Sequence, residues 1–305
     1  MFWEKDESLS RWRSLLESPD QANRKVAIML AAAHNLPDTI LDDFIIEKLT
    51  HDDRQQVNMG VELAVSQGLA MDVLYFRFLV VGTVGTSYGW VKPFLNEKQK
   101  LTAGTVFKKV GYGTESHVPE NLSIIEGISP EVNVGRIAYW LCAAKEIRQR
   151  IRRFAFGFLV DNHMEEWIEK SLPFFMNKSS LNLAFLNQIP EAVYRLSSIT
   201  GLSVSGGNPN LNGFPERITE LTHLEALRLS VNGIRTIPES IGKLAKLRVL
   251  DVSYNPIQAL PESLAEIGTL ETIALTLPML SDTARTQLEN LRVKRPNLII
   301  ENKIA

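Results

Sequence analysis

One cysteine stands in 305 residues, Cys142, so no intramolecular disulfide framework is available. Charge of one sign is not in excess either. Thirty-three basic residues face 35 acidic ones, and the net charge is −2. Residues 176–305 carry 13 basic and 12 acidic side chains, and residues 1–175 carry 20 and 23, so neither half has the basic excess that non-specific phosphate binding needs. Nucleic acid is therefore not the expected partner. Long apolar runs are missing as well. The most apolar window, Phe76 to Val84, is too short to span a bilayer. The first residues, Met1-Phe-Trp-Glu-Lys-Asp-Glu-Ser, have neither the basic start nor the apolar stretch of a signal peptide. These absences lead to the expectation of a cytoplasmic protein without a membrane span.

What the chain does have is a repeat. Leu224-Glu-Ala-Leu227-Arg-Leu229-Ser-Val-Asn232 is answered 23 residues later by Leu247-Arg-Val-Leu250-Asp-Val252-Ser-Tyr-Asn255. Leu270, Ile273 and Leu275 begin another copy, and Ile199, Leu202 and Val204 form a looser one upstream. Leu181 and Leu183 suggest a blurred first strand before the half-repeat Ile189-Pro190-Glu191. The apolar positions of LxxLxL point inward from a short parallel strand. The asparagine, with two donors and an acceptor on a short stem, can bond backbone groups that water cannot reach. Pro238 and Pro261 open each return segment, where a fixed φ helps and a missing N–H costs nothing. No single turn can bury its own apolar face, so the turns must stack. After Leu275, Ser281-Asp282 reads as a helix cap, and Leu298-Ile-Ile300 as a last strand closing the open end.

This pattern resembles the 23-residue leucine-rich repeats of bacterial and intracellular proteins over about residues 180–305. The resemblance implies a protein-binding solenoid and brings no catalytic motif. Residues 1–80 read as amphipathic helices with a recurrence at 33 residues: Asp20 with Asp53, Val26 with Met59, Leu30 with Leu63, Ala31 with Ala64, Leu36 with Leu69, Leu41 with Leu74. Such paired helices resemble HEAT or armadillo units. Residues 81–133 hold seven of the 18 glycines and form an insert of uncertain structure, for which Thr105–Val110 suggests a β-hairpin. From Val134 one apolar stripe, Ile137 through Phe158, suggests continuous helix, and residues 134–178 are expected to complete the N-terminal domain. Phe174-Phe175-Met176 are expected to pack on the first turn of the repeats. The fold class is thus α+β: a helical N-terminal domain with a glycine-rich insert, then, from 179 to 305, a short α/β solenoid with a C-terminal cap.

Candidate chemistry is sparse. Gly82-Thr-Val-Gly85-Thr-Ser-Tyr-Gly89 lacks the Gly-Lys-Ser/Thr end that a phosphate loop needs. The five histidines show no metal-ligand spacing, and Cys142 reads as a small buried hydrophobe. Lys145, Arg148, Arg150, Arg152 and Arg153 read as a solvated helix face. No catalytic residue, metal or cofactor is expected. The outward strand positions remain. Ser203-Arg228-Asp251-Ala274 and Ser205-Ser230-Ser253-Thr276 fall into columns, Val231 and Tyr254 into a third, and Glu225, Arg248 and Glu271 alternate in sign at the strand starts. Of these, Glu225, Arg228, Ser230, Arg248, Asp251, Ser253, Tyr254 and Glu271 are the expected contacts for another protein. The competing expectation is an enzyme or small-ligand domain in residues 82–163, which the repeats only position.

Overall fold

In a computed structural model the described residues are 3, 6–51, 53–81, 91–110, 117–145, 147–207 and 210–304. The glycine-rich stretch 82–89 and residues 208–209 lie outside them. The chain divides into two compact units, 1–155 and 156–305. This division falls earlier than the expected boundary at 178/179, so residues 156–178 group with the repeats.

Unit 1 is helical. Its helices are α1 (Asp6–Leu16), α2 (Gln21–Ala33), α3 (Asp38–Leu49), α4 (Arg54–Ser66), α5 (Ala70–Val81), α6 (Glu97–Lys109), α7 (Val118–Ile128) and α8 (Val134–Ala143). The start of α9 (Gln149–Asp161) also belongs to this unit. The 33-residue recurrence is structural. Helices α2 and α4 are 13 residues each and begin 33 residues apart, after Asp20 and Asp53. Each aspartate caps its helix by accepting backbone N–H bonds, from Ala22 in one case and from Gln55 and Gln56 in the other. The exits also match. Leu36 N–H donates to Ala31 O at 3.0 Å and Leu69 N–H to Ala64 O at 2.9 Å. Asn35 and Gly68 provide the left-handed residue at φ 47° and 78°. The seam needs small residues. A Cβ on Gly60 would stand 2.9 Å from Lys48 Cβ, so glycine lets α4 lie against α3. Two pairings fail in burial: Met59 is 3% exposed where Val26 is 46% exposed, and Leu63 is fully buried where Leu30 is half-buried. Helix α2 buries only Ala27 and Ala31, whereas α4 buries residues on several sides, including Val57, Met59, Val61 and Leu63.

Two sequence expectations are corrected here. Thr105–Lys109 belongs to α6, closed at its start by an Asn96/Gln99 capping box, and is no strand of a hairpin. Gly104 and Gly127 sit inside helices with open space where a side chain would be, so neither interrupts its helix. The stripe from Val134 to Phe158 is two helices. Ala144 turns extended at φ −60°, ψ 120°, and its carbonyl accepts from Arg152 Nη2 at 2.7 Å.

A charged group is buried where α3, α5 and α8 pack. Trp140 Nε1 donates to Asp42 Oδ1 at 2.8 Å, Arg136 reaches Asp38 at 3.1 Å, and Asn133 N–H donates to Asp72 Oδ1 at 3.1 Å. Asp42 and Asp72 are 1% and 3% exposed. Burial pushes the Asp72 carboxyl up to about 6, the Asn133 N–H and Arg136 oppose that rise, and Asp42 adds to it.

Unit 2 contains the rest of α9, α10 (Glu165–Ser171) and one seven-stranded sheet in sequence order: β1 (Met176–Asn177), β2 (Ser180–Ala184), β3 (Gly201–Ser205), β4 (Ala226–Arg228), β5 (Val249–Asp251), β6 (Thr272–Leu275) and β7 (Ile299–Asn302). Strand β1 is antiparallel to β2, and every later pair is parallel. Leu181, Leu202, Leu227, Leu250, Ile273 and Ile300 share one register row. All but the last are fully buried, so the row is the spine of the core. Pro190, Pro215, Pro238 and Pro261 each precede a short helical turn on the return side, including α11 (Glu191–Tyr194). Phe175 packs on Phe156 with ring centres 4.7 Å apart and planes tilted by 50°, while Met176 begins β1. At the far end Ser281 caps α12 (Asp282–Lys294) by accepting from Ala284 N–H, and β7 follows as the closing strand.

Candidate functional site

The asparagines fix the outward face, because they fix the turn after each strand. Asn255 Oδ1 accepts from Asn232 N–H (2.8 Å) and Ile234 N–H (3.0 Å), and its Nδ2 donates to the carbonyls of Leu229, Val252 and Ser253. Asn232 repeats this one turn earlier, bonding Val204 O and Leu211 N–H. Each amide ties together two neighbouring turns. The residues just before them, Val231 and Tyr254, are forced into left-handed backbone at φ 61° and 55°, a costly conformation for a β-branched side chain. Phe185 holds the same place at φ 58° two turns earlier. Between them sits Gly206, where a Cβ would meet Val231 O at 1.7 Å, so the backbones approach too closely for any side chain.

With the turns fixed, strand register sets the columns. Asn182, Ser203, Arg228, Asp251, Ala274 and Glu301 form one row of Cα partners, and Ser180, Gly201, Ala226, Val249, Thr272 and Ile299 the other. Ser205, Ser230, Ser253 and Thr276 follow the first row at the strand ends, linked by bonds such as Gly206 N–H to Ser230 O and Val231 N–H to Ser253 O.

The eight expected contact residues lie on this face, but not in equal states. Arg248 is ion-paired with Glu271 at 2.7 Å, and that hydrogen bond raises its already high pKa. Asp251 does not hold Arg228. Its carboxylate accepts from Ser253 N–H (2.9 Å) and Ser253 Oγ (2.6 Å), and Ser253 is only 2% exposed. Tyr254 is half-buried, and its hydroxyl donates to Ile304 O at 3.2 Å. Its backbone N–H donates to Thr276 Oγ1 at 2.8 Å. The tail after β7 thus reaches the end of the face, a feature the repeat pattern could not indicate because it follows the last repeat. Lys303 pairs with Glu301 at 2.6 Å.

The other half differs. Arg228 and Glu225 are exposed, and Ser230 is half-exposed. Among the described residues, the side chains of Arg228, Ser203, Ser205 and Ser230 have no hydrogen-bond or ion-pair partner. Side chains on β5–β7 therefore satisfy one another, and those on β3–β4 leave a guanidinium and three hydroxyls facing outward.

Elsewhere the described residues include no group of three or more His, Cys, Asp or Glu able to hold a metal ion, and no helix long and apolar enough to cross a membrane. A shallow cleft of about 240 Å³ lies on the return side between Pro261, Ala265 and α12, partly bridged by Lys294 and Glu262 at 3.6 Å.

Residues 246–267 fit the Leucine Rich Repeat family profile. No curated protein matches the chain. The matched residues span β5, the Asn255 turn and the Pro261 return segment, whose register and bonds the neighbouring turns share. The chain carries a leucine-rich repeat segment, set in an α+β protein with a helical N-terminal part.

Proposed function

We propose that this protein is a non-enzymatic protein–protein interaction module that takes its partner on the outward face of the parallel strands, in a cytoplasmic setting. The leucine-rich repeat match supports a protein partner. The observation that carries the choice of face is the contrast between its halves. On β5–β7 polar side chains are paired within the chain, and on β3–β4 Arg228, Ser203, Ser205 and Ser230 are not. Polar groups held on a rigid sheet with no internal partner are ready to bond to an incoming chain without first breaking bonds at home. The expected contacts accordingly shift in weight, from Arg248, Ser253, Tyr254 and Glu271 toward Arg228 and Ser230.

Ala226 is the test position. It faces outward at the start of β4, between Gly201 and Val249. An Ala226→Arg change places a long side chain across the face without touching the core row. Proteins captured from native lysate by the parent should be lost with this variant, while its melting curve stays with the parent's. Undiminished capture by a folded Ala226→Arg protein would refute the reading.

A further inference from the structure

Resting on the outward-face reading above, we infer that the β3–β4 half of the face is a carboxylate-recognition site: Arg228, flanked by the hydroxyls of Ser203, Ser205 and Ser230, takes one Asp or Glu side chain of an extended polypeptide. Ser203 is the Cα partner of Arg228 on β3, and Ser205 and Ser230 stand two residues further along β3 and β4. A guanidinium presents five donors in a planar fork that matches a carboxylate with two parallel bonds, and hydroxyls beside it can donate to the same oxygens. The floor permits close approach. Ala226 is the outward neighbour on β4, so an extended backbone can approach that strand before meeting a long side chain, while on β3 the Ser180 side chain covers Gly201.

Charge decides the kind of anion. Besides Arg228, the face carries Arg248 and Lys303, both already paired, and the carboxylates of Glu225, Asp251, Glu271 and Glu301. Glu271 and Glu301 are neutralised by Arg248 and Lys303, which leaves Glu225 and Asp251 beside Arg228, a setting that does not favour a nucleic acid or any other polyanion. A phosphate dianion at Arg228 would bring a second negative charge toward Asp251, its Cα partner on β5. One unpaired cation suits one negative charge, and a single carboxylate supplies it.

A displayed library of random twelve-residue peptides, selected on the full chain, tests this without a known partner. Selected peptides should share one Asp or Glu. In synthetic copies, changing that residue to its amide should weaken binding about tenfold or more. Arg228→Gln should weaken the acidic peptide by a similar factor and leave the amide version nearly unchanged, so that the two changes are coupled. Replacing the shared acid by phosphoserine should weaken binding; a gain would overturn the carboxylate assignment. Enriched peptides with no common acid, or an acid-to-amide loss equal in parent and Arg228→Gln, would overturn the site itself. Peptides that are insensitive to Arg228 and lost with Ala226→Arg would overturn this inference and leave the outward-face reading standing. Peptides insensitive to both changes, or no enrichment at all, would overturn both.

Discussion

Replacing Asn255 by alanine should destabilise unit 2 more than the same change at Asn232, though the two hold equivalent places in the repeat. Asn255 is 1% exposed and makes five hydrogen bonds to the backbone. Alanine would leave two buried N–H groups, of Asn232 and Ile234, without their acceptor. The three carbonyls are less affected, because a carbonyl has a second lone pair. An orphaned buried group costs about 1–3 kcal/mol, so two of them, after some relaxation of the turn, should cost about 2–4 kcal/mol. Among the described residues the Asn232 side-chain oxygen accepts from Leu211 N–H alone, at 3.2 Å, and Leu211 is half-buried. One weaker, wetter donor is orphaned there, and about 1–2 kcal/mol is expected. Urea unfolding of the two variants, followed by circular dichroism and by protease sensitivity of unit 2, gives the ranking. Equal losses would show that the turns relax around any missing amide. A larger loss at Asn232 would show that the hydrogen-bond count does not set the cost.

Two more predictions follow from buried geometry. Asp72 has its folded pKa raised from 3.8 to about 6, so the folded state binds the proton more tightly, and the stabilisation this brings at low pH is lost as pH rises through 6. Asp72→Asn keeps an acceptor for Asn133 N–H and removes the buried charge; it should stabilise unit 1 at pH 7.5 by about 1–3 kcal/mol, and a parent-to-variant difference that stays constant from pH 4 to 7 would exclude this. Gly206→Ala must move the Val231 backbone, 1.7 Å from the new Cβ, and should cost at least about 2 kcal/mol. Gly268→Ala meets nothing within 4 Å and should gain about 0.4–1 kcal/mol through the unfolded chain; thermal melts that reverse this order would refute the packing argument.

The repeats were legible because each asparagine and leucine acts through backbone geometry that recurs every 23 residues. Period alone located the strands, the proline turns and the outward columns. The 33-residue recurrence was legible for the same reason, down to the caps at Asp20 and Asp53. It misplaced Val26 because identical turns bury different faces when α4 has neighbours that α2 lacks. Glycine was the poorer guide. Gly104 and Gly127 lie on exposed helix faces, where the lost propensity of about 1 kcal/mol is not enough to break a helix. At the site, position on the face could be read, and availability could not. Whether Asp251 turns to Arg228 or to Ser253, and whether Tyr254 is covered by Ile304, depends on side-chain rotamers and on a tail outside the repeat.

The asparagine ladder has a consequence for how such a chain can change length. Each amide is addressed to the turn before it, and Asn232 and Asn255 are addressed alike. A whole 23-residue period is therefore a unit that can be added without changing any of these bonds. Duplicating residues 224–246 would return every donor to a matching acceptor and lengthen the face by one strand, about 4.8 Å. Extra residues between strands need not break this, because the step from Leu202 to Leu227 is two residues longer than the step from Leu227 to Leu250 and Asn232 still reaches Val204 O at 2.7 Å. The ladder thus fixes where each strand ends, and tolerates both duplication by whole turns and small changes in the length of the return.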